Sequence, residues 1–272
     1  MNAIDAHRPR ALLCLLGQVL LACAFGWTGM ALAAAPRERI EIKIDGVPDD
    51  IAANVRSYLT LSRYVTRDDL TDPQVRRLAD RAVDEAADAL RPFGFYAPTI
   101  RSRTSRDDPK WIVRLKIVPG EPVLMKAVDV EIIGAGAVDK SLLQVVAETT
   151  LKPGTRLDHA SYEALKAALM RTARDRGFLD ATLTRRELIV NPTDLTADAR
   201  ITLETGGRYE FGALELDQDI IRDDLMRAYV RFSPGQPFSP EALNSTQFAL
   251  EDSNYFSSVV VTQGERDRTN LT

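Results

Sequence analysis

Few residues in this chain have chemistry to offer. Among 272 residues there are two histidines, His7 and His159, and two cysteines, Cys14 and Cys23. His159 follows Asp158, a pair that could supply two members of a catalytic triad or two metal ligands. Asp158 is also placed to cap a helix, which would make His159 an ordinary first-turn residue, and that is the reading preferred here. Asp84-Glu85 and Asp223-Asp224 are adjacent on expected helices, so their carboxylates point apart and read as solvated faces. Gly206-Gly207 is not followed by a phosphate-loop pattern. No catalytic, cofactor-binding or metal-binding residues are therefore expected, and the chain is not expected to be an enzyme. No run of five or six like charges occurs and the net charge is −4, which argues against a nucleic-acid partner. An apolar content of 45% with 27% charged residues is that of a folded chain rather than a disordered one.

The first segment stands apart from the rest. Arg8 and Arg10 precede an apolar run from Ala11 to about Ala35, and Ala31-Leu32-Ala33 offers a small-residue cleavage site before Ala34. This is the layout of a secretory signal peptide over residues 1–33. A retained membrane anchor and lipidation at Cys23 are the alternatives; the chain stays apolar after Cys23, which weighs against lipidation. Cleavage after Ala33 removes both cysteines and takes the net charge from −4 to −5, since Asp5, Arg8 and Arg10 leave together. The exported chain would then rely on packed cores instead of disulfides.

The remainder is periodic. Ile40-Glu41-Ile42-Lys43-Ile44-Asp45-Gly46 returns as Val128-Asp129-Val130-Glu131-Ile132-Ile133-Gly134, the two glycines lying 134 − 46 = 88 positions apart. Alternating apolar and charged residues predict half-buried strands. A degraded copy follows at Phe211–Asp217. Behind the first copy come a short helix capped by Asp49, a longer one opening at Asp72-Pro73 with an Ala-rich apolar stripe, and strands over Phe95–Arg103 and Trp111–Val118. The second copy repeats strand, helix, helix, strand, strand, with Asp139 and Asp158 as helix caps and strands near 181–190 and 199–203. The third offers helices over about 220–230 and from Ser239-Pro240, then a strand over Phe256–Thr262, a polar turn over 263–270 and only the first step of a last strand at Leu271-Thr272. Two punctuation marks recur. Gly94-Phe95-Tyr96, Gly177-Phe178-Leu179 and Asn254-Tyr255-Phe256 follow the second helix of each copy, with Gly or Asn suited to a left-handed cap. Gly120 with Val123 and Met125, and Gly207 with Tyr209 and Phe211, open short, partly apolar links that should limit hinge motion.

A tandem β-α-α-β-β unit with these strands, junctions and links resembles the POTRA domain. Three in series behind a signal peptide, with Asn254-Tyr255-Phe256-Ser257-Ser258-Val259, resemble the periplasmic arm of TamA-like outer-membrane assembly factors. The resemblance implies an α+β fold of three POTRA-like units over 37–119, 120–206 and 207–272, the third lacking its last strand. It implies small three-stranded mixed sheets covered by two helices, with the last strand central. It further implies a periplasmic location, association with the outer membrane through a barrel that this sequence lacks, an inner-membrane TamB-like partner, and unfolded outer-membrane protein or autotransporter segments as clients. A POTRA scaffold of the cell-division type behind a retained anchor is the alternative.

In such a sheet the outer strands leave backbone groups unpaired, and an extended segment of another protein can add there. The expected edge in the first unit is Tyr96–Arg103, with Tyr96, Thr99, Ile100, Arg101 and Arg103 as candidate partner-binding residues. Pro98 also suits an edge strand. The same proline and arginines would equally suit an edge protected from aggregation. N-terminal sequencing of the exported protein is expected to begin at Ala34; a chain still beginning at Met1 would favour the anchored scaffold.

Overall fold

The computed structural model describes residues 39–218 and 221–272. The signal peptide expected over 1–33, and both cysteines with it, lie outside the described residues. The first repeat consists of β1 (Ile40–Asp45), α1 (Asp49–Tyr58), α2 (Asp72–Leu90), β2 (Thr99–Asp107) and β3 (Lys110–Val118). The second consists of β4 (Leu124–Ile133), α3 (Lys140–Glu148), α4 (His159–Asp175), β5 (Thr182–Asn191) and β6 (Thr196–Glu204). The expected α+β order therefore holds in both. Each repeat forms a three-stranded mixed sheet, ordered β1-β3-β2 and β4-β6-β5. The last strand in sequence is central, parallel to the first and antiparallel to the second.

Alternation sorts the side chains. Val113, Leu115 and Ile117 of β3 and Ile40 and Ile42 of β1 are buried on the helix side, while the residues between them face out. Helix α2 covers this face with Val75, Ala79, Ala82, Ala86, Ala89 and Leu90, all at most 1% exposed. Four of these six are alanines, so the helix lies close over the sheet and the neighbouring elements. The second core gathers Leu165 and Leu169 of α4 with Ala197, Ala199, Ile201 and Leu203 of β6.

The helix starts differ from expectation in part. Asp139 and Asp158 cap α3 and α4 as expected, Asp139 accepting from the Ser141 and Leu142 amides and Asp158 from those of Ala160 and Ser161. Asp49 and Asp72 instead occupy the first helical position, after Pro48 and Thr71. At α2 the Gln74 side-chain oxygen accepts from both the amide and the hydroxyl of Thr71, at 2.8 and 2.9 Å. Asp72 there carries its charge against the positive end of the helix. Glu85 is also not on a solvated face: its carboxylate accepts from the Thr60 amide at 2.7 Å and the Thr60 hydroxyl at 2.5 Å, tying the turn after α1 to α2.

The third repeat departs furthest from expectation. Its helices are α5 (Asp223–Arg227), shorter than expected, and α6 (Pro240–Asp252), where Ser239 stands at the expected N-cap position without a side-chain cap hydrogen bond. The strands expected over Phe211–Asp217 and Phe256–Thr262 do not form; one isolated bridge, Glu210 to Pro237, stands near the first. The reason lies in the strand order. In both formed sheets the outer strands pair only with the central one, which comes last in sequence. No such strand follows Thr262 among the described residues, so neither outer segment has a ladder partner. What does form is an aromatic nucleus of Tyr209, Phe211 and Phe238, with Phe232 stacked on Phe211 at 4.1 Å.

The Ala-rich stripe leaves no space for larger side chains. Ala82→Leu is expected to destabilise the first repeat by about 1–3 kcal/mol through overpacking. Urea unfolding followed by Trp111, the only tryptophan among the described residues, checks this; an unchanged midpoint would mean that the helix can move off the sheet without cost.

Candidate protein-binding edge and joints

Strand β2 pairs with β3 alone, so its other edge carries unpaired backbone groups among the described residues. The two-residue turn Asp108-Pro109 closes on Asp107 and Lys110. A pair closed by two residues exchanges both hydrogen bonds, and pairs alternate along an antiparallel ladder. Counting back in twos, Asp107, Ser105, Arg103, Arg101 and Thr99 spend their backbone groups on β3. Ile100, Ser102, Thr104 and Arg106 present theirs to the open edge. The side chains of Thr99, Arg101 and Arg103 are exposed on the face away from the helices, whereas Ile100 packs against the first core.

Two sequence expectations shift here. Pro98 precedes β2 and is not part of the edge. Tyr96 is also outside the strand: its hydroxyl lies 3.2 Å from His159 Nε2 at the start of α4, so it bridges the first repeat to the second. His159, treated in the sequence as a bystander to a cap, is thus part of a joint. Arg114 and Lys116 of β3, which flank the edge residues, were not singled out from the sequence. Folding the chain about Asp108-Pro109 would have found them, since Arg103 then meets Arg114 and Arg101 meets Lys116.

The joints repeat bond for bond. At the first, the Val123 amide donates to Gly94 O and the Leu157 amide to Val123 O, both at 2.8 Å. Met125 donates to Thr155 O and accepts from the Gly154 amide, again at 2.8 Å. At the second, Tyr209 donates to Gly177 O and accepts from Phe238, both at 2.9 Å, and Phe211 donates to Gln236 O and accepts from Gly235, both at 2.8 Å. Each link is thus laced into the loop before the next repeat's second main helix. Val123, Met125, Tyr209 and Phe211 are all buried there. Gly94 and Gly177 have φ of +84° and +86°, and a Cβ on either would lie 2.5 Å from Leu157 O or 2.9 Å from Phe238 O. Asn254, the third member of the series, has φ of +59°. The left-handed cap expected from the sequence therefore holds in all three repeats, and at two of them it also admits the next repeat's backbone.

Side chains add to each joint. Arg156 lies over the Phe95 ring at 5.5 Å, and Arg208 over Phe178 at 5.9 Å. Tyr209 donates to Asp180 at 2.7 Å, which holds the phenol proton more firmly than usual. Burial pushes the His159 pKa below its ordinary value, against the opposing pull of Asp158 and Glu163. At Asp139, burial opposes the charge, but the Arg176 guanidinium and the helix amides outweigh it and hold the carboxyl low. Among the described residues no group of three or more His, Cys, Asp or Glu gathers to hold a metal, and no helix is long and apolar enough to cross a membrane.

Comparison with known proteins gives this geometry a family setting. Residues 41–119 match the family model described as POTRA domain, TamA domain 1. Residues 209–272 match the POTRA model described as surface antigen variable number repeat. Two stretches of the chain are thus similar to POTRA domains. Solved structures similar to it include the crystal structure of POTRA 3–5 of Haemophilus influenzae BamA, 12% identical with a TM-score of 0.42, over 82% of this chain and 88% of that one. POTRA 1–3 of the periplasmic domain of Omp85 from Anabaena is 12% identical with a TM-score of 0.30, over 79% and 84%. The N-terminal domain of Omp85 from Thermosynechococcus elongatus is 15% identical with a TM-score of 0.29, over 81% and 87%.

His159 supplies a pH test of the first joint. Its folded pKa is lowered, so below about pH 6.5 the unfolded chain binds the proton more readily, and stability falls as pH drops through the folded value. His159→Gln is expected to lose less thermal stability than the parent between about pH 6.5 and 5. Parallel losses in the two proteins would show that the histidine does not titrate differently in the joint.

Proposed function

We propose that this chain is the periplasmic arm of an outer-membrane protein or autotransporter translocation and assembly factor of the TamA type. The observation that carries the reading is the match of residues 41–119 to the first TamA POTRA model, joined to a second POTRA match at the other end of the chain. The arm divides into units over 37–119, 120–206 and 207–272, behind a cleaved signal peptide. It acts as a scaffold through protein contacts rather than as an enzyme. Its partners are a TamB-like inner-membrane protein and unfolded outer-membrane protein or autotransporter segments, and a barrel outside this sequence ties it to the outer membrane.

The open edge of β2 is the proposed contact, through the backbone of Ile100 and Ser102 and the side chains of Thr99, Arg101 and Arg103. Such pairing reads backbone more than sequence, which suits a handler of unfolded strands. Tyr96 contributes by holding the first unit against the second, since its hydroxyl is engaged by His159. The laced joints support an arm in which each link is held to the loop of the next repeat.

A photo-crosslinking residue in place of Ser105, on the exposed face of β2 beside the open edge, tests this in cells. Crosslinks to a long inner-membrane partner or to barrel precursors are expected. Ile100→Pro is expected to abolish them while leaving the unit folded, because the amide it removes faces the open edge rather than β3. Crosslinks that persist in a folded proline variant would move the contact elsewhere.

A further inference from the structure

On the outer face of the first sheet, β2 and β3 set cation against cation. Arg101 stands opposite Lys116, and Arg103 opposite Arg114. All four are exposed. Like charges directly opposite across a ladder are destabilising. Arg114 finds Asp45 of β1 at 3.6 Å, and Glu41 is taken by Lys43 at 3.2 Å. Arg101, Arg103 and Lys116 make no ion pair among the described residues. The matching rows of the second sheet differ: Thr202 of β6 lies in register between Glu131 of β4 and Arg185 of β5, and Glu204 between Ile133 and Thr182. Unbalanced positive charge is thus a property of the first sheet and not of the repeat.

The imbalance is also directional. One row across the sheet runs Asp45, Lys116, Arg101, and the next runs Lys43, Arg114, Arg103. On β1 the first row begins with the carboxylate Asp45 and the second with Lys43, which Glu41 of the same strand neutralises, whereas both rows end at the open edge of β2 in arginines without an ion pair among the described residues. The next place in each row belongs to a strand added to that edge. Successive side chains of a strand alternate, so two residues two apart on the added segment would stand beside Arg101 and Arg103. The residue between them would turn to the helix side, next to half-buried Ile100, Ser102 and Thr104.

We propose that the edge of β2 selects extended protein segments with acidic residues at alternate positions, two of them opposite Arg101 and Arg103, with apolar or small residues between. This rests on the edge reading of the proposed function and adds the chemistry of the partner. The segment supplies backbone partners to Ile100 and Ser102 and, in the same step, the anions that the β2–β3 face lacks. An anionic membrane surface fits less well, because the cations lie in rows at strand spacing that end on unpaired backbone.

The experiment is fluorescence anisotropy of labelled peptides with the full chain. One peptide alternates Glu with Val or Thr. A second has the same composition with the acids in one block. A third carries Lys in place of Glu. The alternating acidic peptide is expected to bind most tightly, more weakly as salt is raised. Arg101→Glu with Arg103→Glu should weaken it on the order of ten-fold and turn the preference toward the lysine peptide. Ile100→Pro should remove binding of either, with circular dichroism and Trp111 fluorescence unchanged. Equal binding of the blocked peptide would overturn the proposal in favour of unregistered charge attraction. Equal binding of acidic and lysine peptides, lost in Ile100→Pro, would overturn acid selection and leave the edge reading standing. Peptide binding indifferent to Ile100→Pro would overturn both. Binding of phosphatidylglycerol vesicles through the arginines, with no peptide binding, would replace the strand with a lipid surface.

Discussion

Each sheet depends on a strand that arrives last. In β1-β3-β2 and β4-β6-β5 the outer strands never touch, and every ladder bond in the sheet passes through the central one. The parallel pair, β1 with β3, also closes a long stretch of chain, so its closure costs more entropy than that of the two-residue hairpin β2–β3. The third repeat shows the dependence directly. Its turn is built like that of the second: Asp267 accepts from the Thr269 and Asn270 amides as Asn191 does from those of Thr193 and Asp194. Leu271 and Leu195 both adopt positive φ, of 55° and 51°, and each carbonyl accepts from a link residue, Glu210 or Leu124. Thr272 thus stands where β6 begins in the second repeat. With no central strand beyond it among the described residues, both outer segments stay out of strand conformation, although residues 213–218 keep their alternation of exposed and half-buried side chains.

The joints are the second constraint, and they explain why glycine marks each one. A helix end in left-handed conformation turns the chain into the next strand and leaves its carbonyl free to take the link amide. With no Cβ at Gly94 or Gly177, the backbone of the next repeat can come within contact distance. Four backbone bonds and two buried link side chains then act together at each joint. Burying a large apolar side chain contributes roughly 1.5–3 kcal/mol, so the two at each joint are of the same order as the backbone freedom that fixing a three-residue link costs.

An open edge and a laced joint are opposite uses of the same backbone groups. At the link, unpaired amides and carbonyls of one repeat are satisfied by the loop of the next. At β2 they stay exposed to water, beside exposed arginines that discourage indiscriminate strand addition. One use fixes the link and the other leaves backbone groups available for pairing. The contrast between the two outer sheet faces is equally physical: where Arg103 meets Arg114 the first sheet sets cation against cation, and in the matching row of the second Arg185 faces Thr202, with Glu131 beyond it.

Local chemistry was legible in the sequence. Alternation in Ile40–Asp45, the Ala-rich stripe of α2, the caps at Asp139 and Asp158 and the left-handed residues Gly94, Gly177 and Asn254 follow from neighbours a few positions apart. The recurrence of that punctuation carried the repeat and the fold class. What needed the tertiary structure were pairings between distant residues: Tyr96 with His159 across a joint, Glu85 holding Thr60, and Arg101 and Arg103 facing Lys116 and Arg114. The failed strands of the third repeat belong there too. Phe211–Asp217 and Phe256–Thr262 have strand-like alternation in sequence, but a strand exists only with a partner for its backbone, and partnership is decided by the sheet as a whole.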